Sequence, residues 1–205
     1  MGVYHQQVLP RLVHLVGGVQ AVAPHRARAC AGLHGRVLEI GFGSGLNIPF
    51  YPPAVTAVCA VEPSDVAWKL ARQRVAGSRV PIERVGLDGQ SVPLPDDSCD
   101  TALSTYTLCT IPDVGAALRE LRRVLKPGGA LHFFDHGLAP DEEVRRWQHR
   151  LDPLQVRLFG GCHLTRPITG LLGEAGFELH EVEQFYEKGA PKPWAAASLG
   201  VAVSR

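Results

Sequence analysis

Arg36-Val-Leu-Glu-Ile-Gly41-Phe-Gly-Ser-Gly45 is the stretch on which the fold of this 205-residue chain turns. It opens as a short apolar run with β-branched Val37 and Ile40, then carries glycines at 41, 43 and 45. That pattern predicts a strand feeding a tight turn. Glycine has no Cβ, so the turn can use positive φ and a ligand can approach the backbone closely. Amides at the start of a following helix then point at polar or negative groups. The spacing departs from two other ligand-binding loops. A dinucleotide loop reads G-x-G-x-x-G, whereas here Leu46 stands where the third glycine belongs. A phosphate loop reads G-x-x-x-x-G-K-[ST], and nothing after Gly41 supplies it. The direct implication is a nucleotide-like ligand lying over the loop.

Outward from this loop, strand and helix patterns alternate. Val55–Val61 is a second, stronger apolar run, Ile82–Val85 a third, Asp100–Ser104 a fourth and Ala130–Phe134 a fifth. Ser64 caps a helix with Val66, Leu70, Ala71 and Val75 on one stripe. Asp113 caps another with apolar Val114, Ala117, Leu118, Leu121, Val124 and Leu125, which Lys126-Pro-Gly-Gly129 stops. A long helix starts near Asp141, with Pro153 marking a break. Its stripe of Trp147, Leu151, Leu154 and Leu158 is expected to face the core. A further helix follows Thr165 and Pro167 and closes at Gly176. Phe177–Phe185 and Ala195–Val203 read as a final antiparallel pair. The expectation is an α/β fold, doubly wound, with a seven-stranded, mostly parallel sheet and a C-terminal antiparallel strand. Such sheets bind ligands at their C-terminal edge.

Several side chains fall at that edge. Glu62, at the tip of the second strand in Ala60-Val-Glu62-Pro63-Ser64, can accept hydrogen bonds from both hydroxyls of a ribose. Asp88-Gly89 follows the third strand, where Asp88 can accept from an adenine amino group. Ser104-Thr105-Tyr-Thr-Leu108 follows the fourth and lines the same pocket. An adenosine ligand is the shared implication.

These segments resemble the class I S-adenosylmethionine-dependent methyltransferases, in particular the small-molecule enzymes of the methyltransferase type 11 family, with a Rossmann-like fold. The loop Glu39-x-Gly41-x-Gly43-x-Gly45, Glu62, Pro93-Leu-Pro-Asp-Asp-Ser-Cys-Asp100 and Glu120-Leu-Arg-Arg-Val-Leu-Lys-Pro-Gly-Gly129 fall in family order, roughly over residues 36 to 136. Gly45-Leu-Asn-Ile-Pro-Phe-Tyr-Pro52, Leu108-Cys-Thr110 and Gly161-Cys-His-Leu-Thr-Arg166 look like the methyltransferase-like branch that methylates alkyl thiols in animals. Proteins of that branch begin with a membrane-anchoring apolar segment, from which this sequence departs. The resemblance implies S-adenosylmethionine as cofactor. Gly41, Gly43 and Gly45 then pass under its methionine part, and Glu39 supports the loop. Asn47 reaches its carboxylate. Glu62 with Pro63 holds the ribose, Asp88 and Gly89 meet the adenine, and Thr105 and Leu108 lie beside the sulfonium. Tyr4 is expected to fold over the site.

The remaining composition narrows the function. With 21 Lys+Arg against 20 Asp+Glu, the net charge of +1 gives no support for a nucleic-acid partner. Five widely spaced cysteines without a C-x-x-C pair point to buried thiols in a reducing, cytoplasmic setting and to no metal site. Residues 4–22 predict an amphipathic helix with Val8, Leu12, Leu15 and Val19, which caps the domain rather than spanning a membrane. One domain is expected over 1–205: a helical cap (1–33), a cofactor-binding core (34–140), and acceptor-covering helices and strands (141–205). Methyl transfer from a sulfonium is an in-line displacement, so alignment and water exclusion are the main tasks. The partner is a small-molecule acceptor, with a thiol leading, since its pKa near 8.5 makes the nucleophilic thiolate accessible. Asp135, His136 and His163 are the candidates for base or orienter, His136 and His163 being the catalytic choices. Cys162 is expected to pack or line the pocket. Methylation of a quinone ring carbon or a phospholipid amine is an alternative. So are a non-catalytic cofactor-binding module and, disfavoured by Leu46, a nicotinamide dehydrogenase.

Overall fold

Alternate side chains of the predicted strands find different partners on the two faces of one sheet. The computed structural model describes residues 4–18 and 20–204, and of residues 5, 6 and 16 only the backbone. The strands are β1 (Gly35–Ile40), β2 (Val55–Val61), β3 (Ile82–Gly86), β4 (Cys99–Thr105), β5 (Leu125–His136), β6 (Phe177–Tyr186) and β7 (Ala196–Ser204). Their order is β3-β2-β1-β4-β5-β7-β6, with β7 antiparallel to both neighbours and the other pairs parallel. The order reverses between β1 and β4, so the crevice for a ligand lies where the glycine loop leaves β1.

The helices are α1 (Leu9–Gly17), α2 (Ala23–Cys30), α3 (Asp65–Ala76), α4 (Val114–Val124), α5 (Glu142–Leu158), α6 (Ile168–Glu174) and α7 (Lys192–Ala195). Val37, Leu103 and Phe134 point to one face, where they pack with Ala29, Cys30 and Leu33 around α2 and with Ala71 of α3. Leu38, Ala102 and Phe133 point to the other, against Leu118 and Leu121 of α4 and Leu172 of α6. The caps are as expected. Ser64 Oγ accepts from the Ala67 N–H at 3.2 Å, and Asp113 Oδ1 from the Ala116 N–H at 2.8 Å. Lys126–Gly129 lie within β5 as an irregularity between Leu125, paired with Cys99, and Ala130, paired with Thr101.

Three expectations change. The amphipathic segment over 4–22 is not one helix: a π turn (Tyr4–Val8) leads into α1, and a 3-10 turn (Gln20–Val22) into α2. Val19 of its apolar set lies outside the described residues. Pro153 does not break α5, which runs through it. The helix is pinned on both sides of the proline. Gln148 accepts from the Ala139 N–H and donates to the Gly137 and Pro193 carbonyls, and Gln155 accepts from the Trp194 indole. The same pins explain why the apolar stripe is not core. α5 buries Val144, Gln148 and Gln155, leaving Trp147 51%, Leu154 58% and Leu158 43% exposed.

Candidate active site

Glu39, the last inward residue but one of β1, is wholly buried at the root of the glycine loop. Its carboxylate accepts from Asn47 Nδ2 at 2.9 Å and from the Tyr51 hydroxyl. Burial lifts its pKa to about 7 against the lowering effect of those donors. Asn47 also donates to Thr105 Oγ1 (2.9 Å), and Arg26 Nη1 donates to both Asn47 Oδ1 (2.8 Å) and Thr105 Oγ1 (3.1 Å). One network therefore joins α2, β1, the loop and the end of β4. Arg26 Nε is buried without a hydrogen-bond partner, and burial lowers the guanidinium's pKa.

Gly41, Gly43 and Gly45 take φ of +67°, +59° and +73°. The three differ in what a side chain would meet. At Gly41 a Cβ would fall 2.0 Å from Thr107 Oγ1, whereas at Gly43 its nearest neighbour is the Gly41 carbonyl at 3.8 Å. Space therefore opens over Gly43, where a close approach to the backbone is possible. Glu62 is buried beside it, one oxygen accepting from the Gly43 N–H and the other from the Ser64 N–H, both at 2.7 Å. Burial raises its pKa despite these donors. Pro63 next to it is exposed. Asp88 is exposed after β3, with Oδ1 accepting from the Gln90 N–H and side-chain amide at 2.9 Å. A Cβ on Gly89 would meet Ile111 Cδ1 at 3.5 Å. Leu108 is buried in the core, and Arg166 holds its carbonyl at 2.7 Å.

The ends of β4 and β5 carry two further clusters. Asp135 is wholly buried; it accepts from Ser104 Oγ (2.9 Å) and from the Thr107 (2.5 Å) and Cys109 (3.4 Å) N–H groups. Burial raises its pKa to about 6. Cys109 Sγ lies 3.7 Å from Cys162 Sγ, and the His163 N–H donates to the Cys109 carbonyl at 2.9 Å. The His163 ring is drawn to Asp152 of α5, Nδ1 to Oδ2 at 3.1 Å, and Asp152 also receives the Leu164 and Thr165 N–H groups. His136 stands in the other cluster. Its ring packs 4.7 Å from that of Tyr106, its Nδ1 lies 3.9 Å from Glu187 Oε1, and burial lowers its pKa. Tyr4 donates to the Leu158 carbonyl at the end of α5.

Arg26, Tyr51 and Glu187 join these clusters without being expected there, and Tyr106, expected only as part of the stretch lining the pocket, bonds Glu187. Tyr106 sits between the two expected positions Thr105 and Leu108, so adjacency was its signal. Arg26 and Glu187 come from remote elements and carried no signal at all. Among the described residues no group of three or more metal-ligating side chains gathers, and no helix is long and apolar enough to cross a membrane.

Comparison with known proteins settles the class. Residues 38–133 match the family model described as a methyltransferase domain. The chain is 32% identical to the human thiol S-methyltransferase TMT1A over 196 residues, covering 94% of this chain and 76% of the relative. It belongs to the class I S-adenosylmethionine-dependent methyltransferases. Phosphatidylethanolamine N-methyltransferase of Cereibacter sphaeroides is 30% identical over 104 residues, 50% of this chain and 51% of that protein. The methyltransferase fold is also that of a Thermotoga maritima protein described as a possible histamine N-methyltransferase. That structure has a TM-score of 0.71 at 22% identity, covering 99% and 98% of the two chains. The protein is thus an enzyme that uses S-adenosylmethionine. Its residues fit that group: the loop leaves space over Gly43, an acid stands beside it, and a buried guanidinium has a donor to spare.

Proposed function

We propose that this methyltransferase methylates the sulfur of a small thiol, with His136 as the base. When bound, S-adenosylmethionine supplies a methyl group made electrophilic by its sulfonium. Glu62 is suited to accept from the ribose hydroxyls through the lone pairs its two backbone donors leave free. Arg26 is suited to receive the cofactor's carboxylate through its spare Nε–H, with Asn47 and Thr105 holding the guanidinium in place. Leu87, exposed between β3 and Asp88, and Gly89 are suited to the adenine. His136 takes the proton of the acceptor thiol. Held by Glu62 and Arg26, S-adenosylmethionine would supply its methyl group to the thiolate that His136 has deprotonated and would leave as the neutral thioether. The observation that carries this reading is His136 itself. It is an imidazole at the C-terminal end of β5, 27% of its side chain exposed, whose pKa burial lowers and whose Nδ1 has no hydrogen-bond partner. A neutral imidazole suits a thiol acceptor, whereas an aliphatic hydroxyl needs a stronger base. The similarity to a thiol S-methyltransferase across most of the chain supports it.

A second reading, methylation of a phospholipid amine, is favoured by the similarity to the Cereibacter enzyme over half of this chain. Turnover against panels of thiols, amines, phenols and quinols, with mass spectrometry of the products, separates the two. S-methyl products are expected. Turnover confined to amines or quinols would overturn the thiol assignment.

A further inference from the structure

Glu187, which follows β6, is a carboxylate with only 13% of its side chain exposed. Among the described residues, its one cationic partner within 4.0 Å is His136. Its Oε2 accepts from the Tyr106 hydroxyl at 2.7 Å, leaving Oε1 turned to His136 Nδ1 at 3.9 Å. That gap is about 1 Å longer than a charge-assisted hydrogen bond. Tyr106 is itself held under strain. Its φ is +52°, a region costly for a bulky side chain, and its N–H donates to the Phe134 carbonyl at 2.8 Å. Arg26 lies over the Tyr106 ring, 5.5 Å from its centroid, and the imidazole ring of His136 packs at 4.7 Å. The opposing partners in the fold carry no charge: β7 presents Ala197 beside His136. The groups that act on the imidazole's charge are Glu187 and the Ala196 backbone carbonyl, which both favour the protonated ring, with Tyr106 and Arg26 next to Glu187, while Asp135 on the same strand is tied to Ser104 and Thr107.

We infer that Glu187 is the positioning residue of this methyltransferase's base: Tyr106 fixes its carboxylate so that it receives the Nδ1–H of His136. This rests on the reading of His136 as base. With Nδ1–H directed at Glu187, Nε2 is the nitrogen left to take the acceptor's proton. As the imidazole becomes imidazolium, Nδ1–H and Oε1 close the remaining gap, and the carboxylate balances the new charge. Tyr106 keeps Glu187 from swinging out to solvent. It also ties the base to Arg26, whose guanidinium lies over the same ring.

The test is a Glu187→Gln enzyme, with Tyr106→Phe as a second variant, read by two measurements. The first is the NMR titration of the His136 ring, which needs no turnover. The second is the pH profile of kcat/KM with 2-mercaptoethanol as acceptor. Losing the carboxylate lowers the affinity of His136 for its proton, so the Glu187→Gln midpoint is expected to fall by about one pH unit, roughly a tenfold change. The acid limb of the kcat/KM profile is expected to move down with it. Tyr106→Phe is expected to shift both the same way by less. A His136 midpoint that stays in place in the folded Glu187→Gln protein overturns the inference, whatever happens to the rate. His136→Asn separates the underlying reading. If the acid limb survives in that variant, His136 is not the base, while the titration still decides whether Glu187 acts on it.

Discussion

At the scale of single residues, Glu39 and Arg26 hold the site's largest electrostatic stakes. Folded Glu39 keeps its proton to about pH 7, whereas the unfolded chain releases it near 4.5. The folded state therefore binds the proton more tightly, and this stabilisation, full below the unfolded value, is lost as pH rises through 7. Glu39→Gln, neutral at every pH, is expected to gain on the native protein by up to about 3 kcal/mol between pH 5 and pH 8. Urea unfolding at the two pH values checks this, and a difference that does not grow with pH refutes it. Arg26 gives a cleaner ligand test. Arg26→Met is expected to weaken binding of S-adenosylhomocysteine by about 1.5–3 kcal/mol, as for a lost charged hydrogen bond. It should leave 5′-methylthioadenosine, which lacks the amino-acid carboxylate, nearly unaffected. Calorimetry on both ligands decides, and equal losses would remove Arg26 from the carboxylate.

At the scale of elements, the glycine loop separates architecture from binding. A Cβ at Gly41 collides with the short Thr107 side chain, so Gly41→Ala is expected to cost roughly 2–4 kcal/mol of stability. Gly43→Ala meets space, and is expected to cost only about 1–2 kcal/mol, for its positive φ, while losing cofactor affinity. Thermal melts with and without S-adenosylhomocysteine check both. The elements themselves were largely legible. β1, its loop, the Ser64 and Asp113 caps and the closing antiparallel pair all declare themselves through local period and turn chemistry. Glu62 and the loop glycines are likewise local, and the fold sets them side by side. What stayed hidden is what only tertiary packing decides. The Trp147–Leu158 stripe has core-like spacing, yet α5 turns its glutamines inward because loop carbonyls and N–H groups need partners. Arg26 looks like one basic residue among several in its segment, and Glu187 like one of many acids around β6. Neither local pattern contains the buried partner that gives it a role.

At the scale of the whole molecule, the candidate site is assembled from both halves of the sheet and from α2, so a ligand bound there is expected to hold the fold together. At 100 times its dissociation constant, S-adenosylhomocysteine is expected to raise stability by about 2.7 kcal/mol. For a chain of this size that corresponds to a melting shift of roughly 5–10 °C. A shift within error would mean that the loop, Glu62 and Arg26 do not act as one site. The sheet has its own consequence for how the chain is made. β7 lies between β5 and β6 although it follows both in sequence. As the polypeptide leaves the ribosome, β6 emerges with no neighbour to pair with, and β5 presents an open edge until β7 arrives. Vectorial synthesis thus produces a five-stranded precursor whose unprotected flank invites aggregation or a chaperone. β7, translated after the other six strands, is the one that covers the β5 edge.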